Sequence, residues 1–255
     1  MTWEKKRVTV ITKAYPEPSA KYGDVACTAG ITDEREWIRL YPIDMRHFIG
    51  KDKISKFDII EVEVKKDKDK LERKESHKVR SDSIRIIDRN LTKPKADWEA
   101  RNKIILGKLD NSVEALRDSY DEDKTSLGLI EPSILLDFIK TEELEIYEKN
   151  GWSFTLNLDG KVITKVTKIP HIFKYRFTCP GCREGEHIMQ CEDWELFESY
   201  RSWGPLYGDP ETLWKKIRGR FFFWMKQKRN LYFLMGMYSQ YPTWFIIGIY
   251  YPPKR

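Results

Sequence analysis

Three of the four cysteines lie in one short stretch together with a histidine, and this cluster constrains the fold more than any other feature. The residues follow the pattern Cys-x2-Cys-x4-His-x3-Cys and are Cys179, Cys182, His187 and Cys191. Thiolate and imidazole groups in this number are typical of tetrahedral Zn²⁺, and four protein ligands leave no position for a substrate water. The sequence therefore predicts a structural zinc site.

The role of Cys191 depends on the local structure. If a helix begins near Glu186, His187 and Cys191 lie one turn apart on the same face and can bind one ion. Alternatively, Cys191 is a small buried residue of the core, and Glu186, Asp193 or water completes the shell. Both interpretations fit the sequence.

Length and composition indicate a folded protein. The 255 residues, 40% of them hydrophobic, are enough to bury one large core or two modest ones. No apolar run approaches the roughly 18 to 20 residues of a membrane-spanning helix, and the N-terminus lacks a secretory signal. A Cys-x2-Cys cluster beside the isolated Cys27 fits a reducing compartment. We therefore expect a cytoplasmic protein without membrane contact.

The formal net charge of +6 comes from one segment. Residues 201–230 contain eight basic residues and two acidic ones, whereas the rest of the chain is balanced. Asp209 and Pro210 mark the start of a helix inside this segment, because an aspartate caps the first turn and proline fits the first helical position. A local excess of positive charge favours a polyanionic partner.

The basic helix predicts nucleic-acid binding, to DNA or RNA. Basic side chains neutralise phosphates while exposed rings stack on bases. The candidate phosphate contacts and the candidate stacking rings are Lys215, Lys216, Arg218 and Arg220, with Phe222 and Phe223. Alternatively, the helix packs its apolar face against the core and its charges are only solvated, or the exposed aromatic residues bind another protein. A membrane-surface helix is disfavoured, because the chain after it folds back as a hairpin.

An enzyme remains an alternative. Asp44, Glu63 and Lys65 resemble the Asp…Glu-x-Lys arrangement of metal-dependent nucleases, in which carboxylates hold Mg²⁺ and the lysine steadies the attacking water or the phosphate. Charged pairs on solvated strand faces are common, however. A further candidate nucleophile is Cys27, whose base would be one of three histidines, His47, His77 or His171.

Periodicity outlines the secondary structure. Residues 57–65 alternate apolar and charged side chains, which indicates a strand with one buried face. The charged run at 65–80 predicts a solvated excursion between strands or an arm on a phosphate backbone. Helix starts are predicted at Asp97, at Asn111 or Ser112, and at Glu131, the last continuing through 139.

The C-terminal part is predicted to be richer in strands. Asp159 and Gly160 favour a hairpin between 151–158 and 161–168, and a strand at 172–177 leads into the cysteine cluster. An apolar hairpin at 231–250 closes the chain. We therefore predict an α+β protein with a β-rich N-terminal domain, a helical connecting region and a zinc-containing C-terminal domain, at 1–92, 93–150 and 151–255.

Six motifs span most of the chain: TKAYPEPSAKY (12–22), TAGI (28–31), WIRLYP (37–42), TSLGLI (125–130), DWE (193–195) and WFIIG with YPP (244–253). Together with the cysteine cluster, they resemble a family of uncharacterised bacterial and archaeal proteins. The resemblance implies a grouping and no particular activity. The chain departs from that family around 69–81, where such proteins carry a more proline-rich segment.

Overall fold

The computed structural model describes residues 2–15, 17–19, 23–48, 50–67, 72–93, 97–142, 169, 171–238 and 241–254. These residues form a β-rich N-terminal half and a C-terminal half in which helices pack on two small sheets. The α+β prediction is therefore confirmed. The predicted hairpin around Asp159 and Gly160 lies outside the described residues.

The N-terminal half is a β-barrel. Its strands are β1 (Glu4–Lys13), β2 (Glu17–Ser19), β3 (Gly23–Thr32), β4 (Trp37–Asp44), β5 (Ile59–Lys66), β6 (Ser76–Val79) and β7 (Arg85–Asp88). Strand β1 pairs with both β3 and β5, so the order β1-β3-β4-β6-β5 closes on itself. All of these pairs are antiparallel except β4 with β6. This order, with its single parallel pair, is that of the five-stranded OB-fold barrel.

Alternating side chains fill the barrel. Val8 and Val10 of β1 point inward beside Ile60 and Val62 of β5, and each is at most 1% exposed. Glu61, between Ile60 and Val62, faces outward and pairs with Lys5 at 3.1 Å, as the sequence pattern of β5 predicts. Gly30 of β3 allows β1 to cross closely, because a Cβ atom there would lie 2.3 Å from a methyl group of Val8.

The described residues of the charged run at 65–80, which are 65–67 and 72–80, are not all solvated as their composition predicts. Its second half includes β6, which closes the barrel, and Arg73 and Glu75 are buried. The Glu75 carboxylate accepts hydrogen bonds from the Ser126 amide at 3.0 Å and from its hydroxyl at 2.6 Å. Arg39 donates to the Ser126 carbonyl at 2.8 Å. Partners from distant segments therefore satisfy these charges inside the fold.

The connecting region matches two of the three predicted helices. Asp97 caps α1 (Trp98–Ile105), and Ser112 caps α2 (Val113–Asp123). The predicted third helix is wrong, because that segment forms β10 (Ile134–Glu142) and pairs along its length with β11 (His171–Thr178). Tertiary pairing overrides a helix-start signal that local sequence provides.

The remaining elements surround a large aromatic core. They are β8 (Leu109–Asp110), β9 (Leu127–Ile130), β12 (His187–Gln190), α3 (Trp194–Tyr207), α4 (Pro210–Arg218), a π-helical segment (Gly219–Trp224), α5 (Met225–Lys228), β13 (Tyr232–Met237) and β14 (Trp244–Tyr250). The strands form the sheets β10-β11-β12 and β14-β13-β9-β8. The predicted strand before the cysteine cluster, the helix start at Asp209 and the closing hairpin are confirmed.

The two halves pack directly on each other. The Thr12 hydroxyl of β1 donates to the Ile247 carbonyl of β14 at 3.0 Å. Gly248 permits this approach, since a Cβ atom there would lie 2.1 Å from the Thr12 oxygen. In the described part of the chain, no helix has the length and apolar character needed to cross a membrane.

Candidate metal centre

A hairpin between β11 and β12 brings three metal-ligand side chains together. Cys179 directly follows β11, His187 opens β12, and Cys182 lies in the turn between them. The Cys182 amide donates to the Cys179 carbonyl at 3.2 Å, and Gly181 adopts the positive φ of 65° that this turn requires. The chain therefore curls so that both thiols face the imidazole.

The fourth donor comes from a different element. Glu114 lies in the first turn of α2, where the Ser112 hydroxyl accepts from the Ala115 amide at 3.0 Å and fixes the start of the helix. Its Oε1 accepts from the amides of Arg183 and Glu184 at 2.8 and 3.0 Å. Its Oε2 faces the cysteines and the histidine.

The spacing of the four donor atoms fits one ion. From His187 Nε2, the distances to Cys182 Sγ, Cys179 Sγ and Glu114 Oε2 are 3.1, 3.4 and 3.6 Å. Cys179 Sγ and Glu114 Oε2 are 4.0 Å apart. Tetrahedral Zn²⁺, with bonds of about 2.0–2.3 Å, places its ligand atoms about 3.3–3.8 Å apart. These four residues could hold a metal ion.

Burial and hydrogen bonding set the protonation of the donors. Glu114, Cys179 and His187 are each at most 4% exposed. Burial opposes ionisation of Glu114, but backbone hydrogen bonds outweigh it and lower its pKa to about 2. Burial and the neighbouring Cys182 raise the pKa of Cys179 to about 11. A cation bound at this sulfur would displace the thiol proton.

The structure places Cys191 outside this group. No helix begins near Glu186, because His187 opens a strand, so the condition under which His187 and Cys191 would share an ion is not met. Four residues along a strand span roughly 13 Å, too far for His187 and Cys191 to share an ion. Cys191 is fully buried in the core, and its amide donates to the Phe173 carbonyl. The fourth member of the candidate group is Glu114, and neither Glu186 nor Asp193 belongs to that group.

The other two acids considered for the shell have different partners. Glu186 pairs with Arg176 on the exposed side of the hairpin. Asp193 caps α3 by accepting from the Leu196 amide at 3.0 Å, and it also binds the Lys56 ammonium at 2.8 Å. Asp193 therefore joins the two halves of the molecule.

The three residues of the nuclease alternative do not form a metal-binding group in the described part of the chain. Asp44 is exposed and accepts from the Arg46 amide. Glu63 and Lys65 do share the outer face of β5, but Glu63 forms an ion pair with Arg80 at 2.6 Å.

Within the described residues, no hydrogen bond joins Cys27 to any of its candidate bases. Arg39 donates to the Cys27 thiol at 3.4 Å. His77 lies beside the Glu75 carbonyl, His171 contacts the ring of Tyr200, and His47 lines a cavity next to β7. No cysteine–histidine pair that the structure describes therefore supports a nucleophile at Cys27.

The predicted nucleic-acid contacts divide into structural and exposed groups. Arg218 binds the Asp137 carboxylate at 2.6 Å. Arg220 lies 3.6 Å from the centre of the Trp224 ring. Lys215 and Lys216 are exposed.

The two candidate rings also differ. Phe222 is 4% exposed and belongs to the core, because the π-helical segment rotates it inward, whereas Phe223 is 48% exposed. Of the two rings, Phe223 is therefore the exposed one.

Two family models cover the chain. Residues 4–107 match a domain of unknown function (DUF8758), and residues 109–255 match a second domain of unknown function (DUF8757). No curated protein gives a significant match. The first model corresponds to the barrel with α1, and the second contains all four candidate ligands. Because the second match covers more than half of the chain, the protein belongs to the DUF8757 family.

Proposed function

We propose that the protein binds nucleic acid through its basic helix and that its metal centre is a structural Zn²⁺ site. The observation that supports this proposal most is the surface of α4 and of the π-helical segment and α5 that continue it. It presents the exposed side chains of Lys215, Lys216 and Lys228 and the exposed ring of Phe223, whose centre lies 5.1 Å from the Arg218 guanidinium, and residues 212–230 contain no acidic side chain.

This surface combines the two interactions that a single strand requires. Ammonium and guanidinium groups attract phosphates, and a base stacks on an aromatic ring for roughly 1–3 kcal/mol. Lys215 pairs with Glu211 only at the surface, where both side chains are at least 70% exposed. Such a pair is worth at most about 1 kcal/mol, so a phosphate can replace the carboxylate.

The barrel adds independent support. OB-fold barrels include many that bind oligonucleotides, although a fold alone does not fix a function. The strand order of the N-terminal half therefore agrees with the proposal. The main support for the proposal remains the charged helix.

The donor set supports zinc as the metal. Two thiolates and an imidazole favour a borderline-soft ion such as Zn²⁺ over Mg²⁺ or Ca²⁺. The burial of three donors favours a structural role. We expect one equivalent of zinc per chain in purified protein by elemental analysis. Protein without near-stoichiometric metal would reject this part of the proposal.

The binding test is fluorescence anisotropy with labelled single- and double-stranded DNA and RNA at two salt concentrations, with and without Mg²⁺. The variant is Lys215→Glu, and the matched control is Lys103→Glu. Both lysines are about 70% exposed and pair with a glutamate one helical turn away. We expect a severalfold loss of affinity and a shallower salt dependence for Lys215→Glu only. Equal behaviour of the two variants would refute the assignment.

The same samples distinguish the alternatives. Mg²⁺-dependent cleavage that Glu63→Gln abolishes would favour the nuclease hypothesis. The absence of binding to every probe would favour a protein partner, which is then sought by size-exclusion chromatography with cell extract.

A further inference from the structure

Two arginines, Arg220 and Arg229, lie against one tryptophan ring beside the last helix. The guanidinium carbon of Arg220 is 3.6 Å from the centre of the Trp224 ring, and that of Arg229 is 4.6 Å from the same centre. Arg220 and Trp224 belong to the π-helical segment, and Arg229 directly follows α5. All three side chains are partly exposed. Arg220 and Arg229 are called the arginine pair below.

The arginine pair has no polar partner in the part of the chain that the structure describes. No hydrogen bond or ion pair reaches either guanidinium, and the Nε atom of Arg229 is also shielded from solvent. By contrast, Arg218 on the same helix binds the Asp137 carboxylate at 2.6 Å. Each guanidinium carries five N–H donors, so the pair offers hydrogen bonds that no described protein group accepts.

The carboxylates near the arginine pair are already engaged. Arg220 lies 5.7 Å from the centre of the Tyr251 ring, and the Tyr251 hydroxyl donates to Glu195 at 3.3 Å. Glu195 also lies 3.4 Å from the Lys56 ammonium, which binds Asp193 at 2.8 Å. Three cations, Lys56 and the arginine pair, therefore face two carboxylates.

Two lysines increase this excess of positive charge. The chain end runs beside Arg229, where residues 229 and 253 form a β-bridge and the Lys254 amide donates to the Lys228 carbonyl. Both lysines are exposed. The charges around the arginine pair therefore do not balance, and the unmatched positive charge favours an anion.

The geometry of the arginine pair suits phosphate groups. The two distances to the ring centre place the guanidinium carbons within about 8 Å of each other, a separation of the same order as that between successive phosphates of a strand. A planar guanidinium binds a phosphate through two parallel N–H···O hydrogen bonds. Contact with the indole restricts both side chains before any ligand binds, which lowers the entropy cost of binding.

A site of this kind recognises the backbone and not the bases. Arg220 contacts the indole of Trp224, so that ring is not open to a base as the exposed ring of Phe223 is. Phosphate contacts position a strand but carry no sequence information. The arginine pair should therefore contribute equally to RNA and DNA.

We propose that Arg220 and Arg229, held against Trp224, bind two successive phosphates of a nucleic-acid strand. The inference rests on the proposed nucleic-acid binding and deepens it, because it adds a second backbone contact to the surface of α4. A free phosphate ester offers the same chemistry.

The test is the salt dependence of binding, measured by fluorescence anisotropy with a labelled single-stranded RNA and with DNA of the same sequence. Arg220→Gln and Arg229→Gln remove one charge each, and Arg229→Lys keeps the charge without the planar fork. The control is Arg80→Gln. Arg80 also lies over an indole, 4.4 Å from the centre of the Trp3 ring, but it has a carboxylate partner, Glu63, at 2.6 Å. Thermal unfolding shows whether each variant is folded.

We expect each glutamine variant to weaken binding severalfold for both probes. Each should also lower the slope of log K against log salt concentration by about 0.7, the value for one phosphate contact on a single strand. Arg229→Lys should keep the wild-type slope, because its charge is retained. The control should behave like the wild type.

The outcomes separate this inference from the proposed function. If Lys215→Glu weakens binding and neither glutamine variant does, the inference falls and the proposed function stands. A loss of affinity with an unchanged salt slope would show that the arginine pair only supports the fold, and it would also overturn the inference.

Inorganic phosphate, titrated by calorimetry, distinguishes a strand from a free phosphate ester. If no strand binds, but phosphate binds to the wild type and not to Arg229→Gln, the arginine pair stands as a site for a free phosphate ester and the proposed function falls. The absence of binding to both the strands and phosphate would overturn the inference.

Discussion

Replacing Lys13 with methionine should stabilise the protein at neutral pH. Lys13 lies between the two halves and is 6% exposed. Its ammonium donates to the Ile54 carbonyl at 3.1 Å and lies 4.9 and 4.3 Å from the ring centres of Phe48 and Trp194. Burial, reinforced by Lys56 and Lys53, lowers its pKa from 10.5 to about 8.

The lowered pKa of Lys13 gives the direction and size of the effect. Between pH 8 and 10.5 the unfolded chain holds this proton and the folded chain does not, so the free energy of unfolding rises with pH across that window. The pKa difference between the unfolded and folded states corresponds to a change of about 3 kcal/mol in the free energy of unfolding. Below pH 8 that amount is the cost of the buried charge. Cation–π attraction to the rings of Phe48 and Trp194 offsets this cost by about 0.5–1 kcal/mol for each ring.

We therefore expect Lys13→Met to raise the free energy of unfolding at pH 7 by about 1–2 kcal/mol. The gain should vanish by pH 10.5, where the wild-type amine is neutral and keeps its hydrogen bond to Ile54. Urea denaturation followed by circular dichroism at pH 7, 8.5 and 10 measures the difference. Lys103→Met is the control, because that side chain is 71% exposed. A wild-type-to-variant difference that stays constant across this range would refute the buried-charge argument.

Two further predictions concern the metal centre. Glu114→Gln keeps the shape of the side chain but removes its charge, so zinc affinity should fall by at least about 10- to 100-fold, the loss that a change behind a ligand already causes, in competition with a chromogenic chelator. Glu186→Gln, on the exposed side of the same hairpin, is the control and should not change it. Cys191→Val should keep one zinc per chain, because Cys191 is a core residue. Loss of zinc in the Cys191→Val variant would contradict this prediction and would indicate that Cys191 is a metal ligand.

Sequence reasoning selected three members of the candidate metal group because their geometry is local. Cys179, Cys182 and His187 lie within one hairpin, and their spacing alone brings them together. Glu114 is 65 residues before Cys179, and an acidic residue in a first helical turn is common for reasons unrelated to metals. Only the packing of α2 against the hairpin gives it a role. No spacing rule would have selected it.

The predictions for two segments were wrong because contacts with distant parts of the chain determine the structure of those segments. Glu131 and Pro132 carry a valid helix-start signal, but the following residues pair with eight residues of β11. The charged residues Arg73 and Glu75 read as solvated, yet Ser126 and the Met237 carbonyl satisfy them in the interior. Local composition predicts that charged side chains are solvated, but it does not show whether a distant segment supplies buried hydrogen-bond partners for them.

Strand β11 contacts both the candidate metal centre and the segment that continues α4. One end of this strand leads into Cys179, and in its middle the buried Tyr175 hydroxyl donates to the Phe221 carbonyl at 2.7 Å. Phe221 belongs to the π-helical segment that turns Phe222 inward and leaves Phe223 exposed. A cation at the hairpin would fix the end of β11 and, through Tyr175, the geometry of that segment. If the proposed function is right, a bound zinc ion would act on nucleic-acid binding by holding the segment around Phe223 in shape rather than by touching a phosphate.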